Sequence, residues 1–250
     1  MMERTTRHWP ILAVFVFVIL LSSQIPARAI SYVLPNNVTL TGVSGTIWSG
    51  RAARAWVEID QQPLMLGRVQ WRLEPWRVLW GAPLSLSSVW GQQALRAKLA
   101  YRPDGSTLLQ DAVFTVNTQL FKAFFPLYLG GVLSGEFAQI AIDEGRVVNA
   151  EGVVRLLRGV WTARSGNIPL GDYQIDFSSA AAAGAGTLGS LKTMAGPLQL
   201  SGDLSATLTD YQIVVEATGP VARDEAFRRA MSMIAIPNQD GFRVSLTGQY

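Results

Sequence analysis

The residue types that most often carry enzyme chemistry are nearly absent from this chain. It has no cysteine in 250 residues, and its one histidine, His8, lies in a basic N-terminal stretch. Thiol chemistry, disulfides and cysteine-ligated metals are therefore excluded, and a lone imidazole cannot build a triad or a metal cluster. Nucleophilic catalysis would then need a serine–lysine pair or a carboxylate pair. The three lysines, Lys98, Lys122 and Lys192, follow no Ser-x-x-Lys spacing.

Acidic residues occur in two adjacent pairs, Asp143–Glu144 in a predicted turn and Asp224–Glu225 at a predicted helix start. Acids at such positions are usually solvated, whereas catalytic carboxylates come from separate elements that face one cleft. Asp172, Asp176 and Asp203 would have to be brought together by the fold, and nothing in their spacing requires it. The sequence predicts a protein that is not an enzyme, with no catalytic, metal-binding or cofactor-binding residue.

Gly184-Ala-Gly-Thr-Leu-Gly189 matches the dinucleotide-binding fingerprint as a string of letters. That fingerprint works through a helix directly after the last glycine, whose N-terminus faces the pyrophosphate. Gly196 and Pro197 interrupt the chain too early for such a helix. The Ala- and Gly-rich stretch from 180 to 189 is therefore predicted to be a flexible loop that binds no cofactor.

Tryptophan and arginine are concentrated in one part of the chain. Six of the eight tryptophans fall within 43 residues: Trp48, Trp56, Trp71, Trp76, Trp80 and Trp90. Five arginines interleave with them: Arg51, Arg54, Arg68, Arg72 and Arg77. Large aromatics pack cores, but tryptophan and arginine are also enriched at interface hot spots. Trp71 is predicted to face the core, and Trp76 and Trp80, in a predicted corner over 75–80, are the better interface candidates.

The elements that position these residues alternate with period two. Val69, Trp71 and Leu73 fall on one face and Arg68, Gln70 and Arg72 on the other, which is typical of a half-buried strand. The same pattern predicts strands at 52–59, 94–101, 112–117, 133–142, 146–156, 171–178, 198–208, 212–218 and 242–247. The turn at 143–145 predicts a hairpin.

Two helices are predicted within this β-rich body. Residues 118–125 are too densely apolar for period two, and Pro126 ends them. Over 224–234, Phe227, Ala230, Met231 and Ile234 share one face. We therefore predict an all-β, mainly antiparallel body with one short amphipathic helix near the C-terminus. Its strands form either one long curved sheet or two stacked sheets.

The N-terminus carries a targeting or membrane signal. Residues 1–8 are basic and 10–21 are apolar. One interpretation is a cleaved signal peptide, with Ala27-Arg28-Ala29 before the cut. The other is an uncleaved anchor over 9–30, about the 20 residues that a membrane span needs. In both, the basic tail at 1–8 stays in the cytoplasm and 31–250 form an exported domain.

Composition limits the partners. Charged residues make up only 16% of the chain, below the usual quarter. This low share suggests a surface that is partly covered by something else. The net charge of +3 includes the basic tail, and the remaining basic residues are scattered. The chain therefore lacks the footprint of a nucleic-acid-binding protein.

Two tryptophan-containing blocks carry a family resemblance. Leu40-Thr-Gly-Val-Ser-Gly-Thr-Ile-Trp-Ser-Gly-Arg51, followed by Val69-Gln-Trp-Arg-Leu-Glu-Pro-Trp76, resembles protein N of the type II secretion pathway. The resemblance extends over nearly the whole chain, from the basic start through later Leu-Ser-Gly repeats. Those repeats also resemble periplasm-facing proteins that form lipid-transport grooves.

The resemblance implies a single-pass protein of the bacterial inner membrane, with its bulk in the periplasm and its N-terminal segment uncleaved. It would be a non-catalytic accessory component that scaffolds the assembly platform of the secretion machine. Other platform proteins would be its partners, through strand addition at open sheet edges. The alternative is a periplasmic carrier of lipid or another hydrophobic ligand, held in a groove of the sheet.

Overall fold

One open antiparallel sheet contains every described strand. In this computed structural model the described residues are 14, 17, 20–32, 34–59, 62–79, 82–102, 105–123, 129–143, 146–163, 166–179, 186–207, 209–232, 235–238 and 240–249. From β3 (Ser49–Ile59) to β13 (Asp210–Thr218) each strand pairs with its neighbour in sequence, and β15 (Gly241–Gln249) then lies between β13 and β14 (Ala235–Pro237). β1 (Val38–Thr41) pairs with β3 at the opposite edge, where the two-residue β2 (Ser44–Gly45) also pairs with β3.

The strands lengthen toward the middle of the sheet, where β9 has 18 residues. They are β1 (Val38–Thr41), β2 (Ser44–Gly45), β3 (Ser49–Ile59), β4 (Gln62–Leu73), β5 (Leu84–Trp90), β6 (Gln93–Tyr101), β7 (Thr107–Asn117), β8 (Leu129–Asp143), β9 (Arg146–Ala163), β10 (Gly166–Ser179), β11 (Thr187–Ala195), β12 (Gln199–Ala206), β13 (Asp210–Thr218), β14 (Ala235–Pro237) and β15 (Gly241–Gln249). Short 3₁₀ helices cover Ala27–Tyr32, Pro75–Leu79, Thr118–Ala123 and Val221–Arg223. The α-helix α1 spans Glu225–Met231.

The all-β, antiparallel prediction is confirmed, and of the two predicted arrangements the described strands form the single sheet. Each predicted strand coincides with an observed one. The hairpin around 143–145 is confirmed by the antiparallel pairing of β8 and β9, which begins at Asp143 and Arg146. Residues 144 and 145 lie outside the described part.

One face of the sheet is apolar along its whole length. Directly opposed residues in adjacent strands share a face, so the register traces this surface from strand to strand. Across β4, β5 and β6 it presents Trp71, Leu86 and Ala97, and across β9, β10 and β11 it presents Val154, Ile175 and Leu191. Most of these side chains are only partly buried.

The two clusters of buried core residues lie at the two ends of the sheet, where short helices pack on its apolar face. Near the N-terminus, Ala27 of the first 3₁₀ helix packs with Ala52 and Trp71. Near the C-terminus, α1 and the 3₁₀ helix before it place Phe227 and Val221 in a second cluster. A row of phenylalanines lies on the face between them: Phe114, Phe137 and Phe177, with ring centroids 6.4 and 5.8 Å apart.

The predicted C-terminal helix is present but shorter than 224–234. Asp224 is its N-cap and accepts a hydrogen bond from the Phe227 amide at 2.9 Å. Ser232 ends it as the C-cap, and Ile234 lies outside the described residues. The helix is therefore a seven-residue cover for the sheet end.

One prediction between strands needs correction. The loop predicted over 180–189 is wrong for residues 187–189, which begin β11, while 180–185 lie outside the described residues. Gly189 pairs with both Phe177 and Leu204, so strands on both sides hold this stretch extended despite its composition. The short helix predicted over 118–125 is present as a 3₁₀ helix over Thr118–Ala123, and 124–125 are not described.

The predicted basic tail and the first part of the predicted anchor, apart from Val14 and Phe17, lie outside the described residues. Val14, Phe17 and Leu20–Ser23 are helical. Within the described part of the chain, no helix is both long and apolar enough to span a membrane. Pro26 bridges to Thr46, and Ala27 to Ile30 belong to the 3₁₀ helix that packs on the sheet, so a membrane span would end before residue 26 and not at 30. The anchor itself stays a prediction.

Candidate binding surfaces

Four of the acidic residues singled out in the sequence, Asp172, Asp176, Asp224 and Glu225, have local structural partners. Asp224 caps α1, and Glu225 forms an ion pair with Arg229 at 3.0 Å. Asp172 accepts a hydrogen bond from the Arg158 amide at 2.6 Å. Among the described residues, no group of three His, Cys, Asp or Glu side chains is arranged to hold a metal.

Asp176 and Asp203 lie on the same face of the sheet, because both pair directly with Ser190 of the strand between them. That register places the two carboxylates two strands apart, about 10 Å by the usual strand spacing. Lys192 forms an ion pair with Asp176 at 2.6 Å. The hydrogen bond from Lys192 is the main cause that lowers the pKa of Asp176, with a second bond from Gln174. The arrangement is that of a solvated ion pair.

The tryptophans divide between the core and the surface. Trp71 is 5% exposed, which confirms that it faces the core, and its indole Nε1 donates to the Ile47 carbonyl at 3.1 Å. Trp76 is 62% exposed and Trp90 40%. The position of Trp76 agrees with its selection as an interface candidate, and Trp80 lies outside the described residues.

The chain before β1 is joined firmly to the sheet. The Trp48 indole donates to the Ser22 carbonyl at 2.7 Å, and the Ile47 amide donates to the Ile25 carbonyl at 3.1 Å. Pro26 forms a β-bridge with Thr46, and Ala27 is only 1% exposed. The end of the N-terminal helix is thereby fixed beside β2 and β3.

An arginine cleft opens over β3–β6, and Trp71 and Leu86 are among the residues that line it. We give this name to the cleft of about 570 Å³ whose walls include Arg51, Arg72 and Arg96. A direct cross-strand row runs Arg51–Gln70–Ser87–Arg96, and a neighbouring row runs Ser49–Arg72–Ser85–Lys98. Guanidinium groups, hydroxyls and one amide therefore share a surface a few strands wide.

The charge of the arginine cleft is uncompensated. All three arginines are exposed, and none forms an ion pair with an acid of the described residues. Glu74, the acid that lines the cleft, is paired with Arg77 at 2.5 Å. Lys98 is paired with Asp111 at 2.7 Å. The remaining charge in the cleft is positive.

The two sheet edges offer a second kind of binding surface. β14 covers only Phe242–Val244 of β15, so Ser245–Gln249 of β15 has no partner on its outer side among the described strands. β1 is similarly open on the side away from β3. Exposed edges present unpaired backbone groups that can template another strand.

The described strands thus form one antiparallel sheet that offers open edges, a partly buried apolar face and a basic cleft. The family described as "Type II secretion system (T2SS), protein N" matches residues 36–245. The chain belongs to this family of secretion components, which confirms the resemblance in the two tryptophan blocks.

A relative supports the same assignment. The chain is 30% identical over 147 residues to the type II secretion system protein N of Aeromonas hydrophila. The match covers 56% of this chain and 57% of that relative, so it spans little more than half of either. No solved structure matches this chain.

Sequence reasoning missed two features of these surfaces. Arg96 lies outside the tryptophan-rich block that the sequence singles out. The alternation of Leu84 and Leu86 with Ser85 and Ser87 indicates the strand that connects Arg96 to the arginines of that block. The bond from Trp48 to Ser22 carries no sequence signal, because it joins residues 26 positions apart.

Proposed function

We propose that this chain is a non-catalytic accessory component of the inner-membrane platform of type II secretion. Its β domain, 31–250, would lie in the periplasm and hold other platform proteins together. Family membership supports the pathway, and the open edges of β1 and β15 support binding as the mode of action. The observation that carries the proposal is the continuous 15-stranded sheet, whose outer strands can be extended by a partner.

We also propose that the N-terminal segment is an uncleaved anchor. Cleavage after Ala29 would remove Ala27 from the core and would delete the carbonyls of Ser22 and Ile25 that accept bonds from the sheet. A removable signal peptide does not normally supply core residues of the mature fold. Intact-mass measurement of the membrane-isolated protein tests this. Retention of residues 1–29 supports the anchor, and their absence refutes it.

Partner binding can be tested in native membranes by site-specific photo-crosslinking. A photoreactive residue replaces Thr247, which lies on the open stretch of β15, or Trp76 on the exposed corner. The control replaces Ser201, an exposed residue of β12 paired on both sides. We expect crosslinks to platform proteins from an edge or corner probe and not from Ser201. If neither the edge probe nor the corner probe crosslinks to a platform protein, the scaffold role is contradicted.

The partly buried apolar face favours a second candidate, a carrier of lipid or another hydrophobic ligand. Between the two end clusters, Phe114, Phe137 and Phe177 line this face without a described covering helix. Native mass spectrometry of the purified full chain separates the candidates. A stoichiometric lipid that survives detergent removal, and that also stays bound when Arg51, Arg72 and Arg96 are replaced, favours the carrier, and an unliganded mass favours the scaffold.

A further inference from the structure

We propose that the arginine cleft binds the phosphate headgroups of anionic phospholipids at the membrane surface. The inference rests on the proposed anchor, and it adds a second, reversible attachment of the β domain to the membrane. The apolar anchor would fix the chain in the bilayer. The cleft would then hold the N-terminal end of the sheet against the headgroup layer.

The chemistry of the cleft suits a phosphate monoanion. The planar guanidinium fork matches two phosphate oxygens, which a lysine ammonium does not. Arg51, Arg72 and Arg96 surround Gln70 and Ser87, whose amide and hydroxyl supply neutral donors. The Arg51 Nε also donates to the Ser44 hydroxyl at 3.1 Å, which restrains that side chain before any ligand arrives.

The position of the cleft indicates a membrane ligand. Ser44, Gly45 and Ser49 line it, and they flank the stretch from Thr46 to Trp48 that bonds to residues 22–26. The end of the proposed anchor and the cleft therefore share one short segment of the sheet. A headgroup beside the anchor would reach the arginines without any rearrangement of the domain.

Exposed aromatic side chains flank the same end of the sheet. Trp76 is 62% exposed and follows β4, whose last residue, Leu73, donates its amide to the Trp48 carbonyl at 2.7 Å. Tyr32, at the end of the first 3₁₀ helix, is 92% exposed. Exposed tryptophan and tyrosine are typical of the interfacial layer of membranes. Both side chains therefore favour a lipid surface over an acidic protein segment.

The test uses the full-length protein in an uncharged detergent, titrated calorimetrically with soluble short-chain phosphatidylglycerol. Short-chain phosphatidylcholine, inorganic phosphate and a short acidic peptide are the comparison ligands. The test variant is R51Q/R72Q/R96Q. The control, R223Q/R228Q/R229Q, makes the same formal charge change on exposed arginines at the far end of the sheet, where Arg223 and Arg229 are paired with Asp240 and Glu225. Since each basic residue near an anionic surface contributes about fivefold in affinity, the test variant should bind phosphatidylglycerol roughly 100-fold more weakly.

The expected result is binding of phosphatidylglycerol in preference to phosphatidylcholine, lost in the test variant and kept in the control. Equal binding of both lipids, equal losses in the two variants, or unchanged binding in the test variant would overturn the inference. Inorganic phosphate that binds as tightly as the lipid would identify a free-anion site instead. An acidic peptide that binds the cleft while phosphatidylglycerol does not would identify a protein partner.

Failure here can be distinguished from failure of the proposed function. If the lipid preference is absent while photo-crosslinks to platform proteins persist, the headgroup site is wrong and the scaffold stands. If residues 1–29 are missing from the membrane-isolated protein, the anchor is wrong and the inference falls with it.

Discussion

At the scale of single residues, glycines opposite aromatic rings organise the apolar face. A Cβ added to Gly50 would lie 2.7 Å from Cε2 of Trp71, and one added to Gly152 would lie 2.6 Å from Cδ1 of Phe137. Each glycine is paired directly with the aromatic residue on the adjacent strand, Gly50 with Trp71 and Gly152 with Phe137. The missing side chain lets the aromatic ring lie over the neighbouring strand, a device that also protects the backbone of a glycine in a sheet.

Gly152→Ala should therefore destabilise the fold by about 1–3 kcal/mol, the range for overpacked sites. The new methyl group would meet both the Phe137 ring and the Glu136 carbonyl. Gly130→Ala is the matched control, because its nearest neighbour would be the Val160 carbonyl at 3.6 Å, an ordinary contact. Urea unfolding measures both, and equal free energies of unfolding for the two variants would contradict the account.

Tyr173 is a buried polar side chain with a structural role. Its hydroxyl lies 2.9 Å from the Leu170 carbonyl and 3.0 Å from the Leu198 carbonyl, and it donates between them. Burial raises the pKa of Tyr173, and the charge of Asp172 adds to the rise. The folded protein therefore retains a proton that the unfolded chain releases near its ordinary pKa of about 10.

Tyr173→Phe should lower the free energy of unfolding by about 1–3 kcal/mol at neutral pH. Because the folded pKa is raised, the wild-type protein loses stability as the pH rises past about 10, and the phenylalanine variant lacks this term. The difference between the two proteins should thus shrink in alkaline denaturation curves. If the difference in free energy of unfolding between the two proteins stays constant from neutral pH to about pH 11, the raised pKa of Tyr173 does not contribute to stability. Tyr32→Phe, at a fully exposed ring, is the control.

At the scale of elements, alternation predicted most strands but not their lengths. Val69, Trp71 and Leu73 are oriented as their pattern indicates, since the residues between them are exposed. β9 extends to Ala163 where the sequence predicted an end at 156, because β8 and β10 provide partners on both sides. Strand length depends on neighbours that a local pattern does not contain.

β11 shows the same limit more clearly. Thr187–Ala195 lacks a strong apolar alternation, and its N-terminal part was predicted to be loop. Pairing with β10 and β12 satisfies its backbone groups and outweighs its weak intrinsic preference. A local sequence pattern could not predict the arginine cleft either, since the cleft combines residues from five strands, β2 to β6.

The helix α1 covers the apolar face at the C-terminal end of the sheet. Phe227 is 4% exposed and packs edge-on against Trp161, with the ring centroids 5.1 Å apart. Its ring is tilted against that of Phe242, at a centroid distance of 5.8 Å. Its burial closes the C-terminal end of an otherwise open apolar face. A seven-residue helix has little stability of its own, so this contact holds the element in place.

Phe227→Ala should cost about 3–5 kcal/mol, as for other large core truncations. Arg228→Ala, at the adjacent exposed position, should change stability by less than about 0.5 kcal/mol. Thermal unfolding followed by circular dichroism compares them. If both variants unfold at the wild-type temperature, α1 is not the cover that its contacts indicate.

At the scale of the whole molecule, the fold separates two surfaces. One face is apolar and only partly covered, and near the N-terminus the other carries the uncompensated arginines. The low share of charged residues agrees with a sheet that needs cover along part of its surface. These two surfaces and the open edges support the proposal that the chain acts by binding.

The central claim is that this chain supports type II secretion by binding. The most direct test is the ratio of extracellular to periplasmic cargo in cells that lack the chain, with the amounts of other platform proteins measured in parallel. We predict that folded cargo accumulates in the periplasm, that platform proteins become less abundant, and that the wild-type chain reverses both. Normal secretion and unchanged platform levels in the deleted cells would contradict the account.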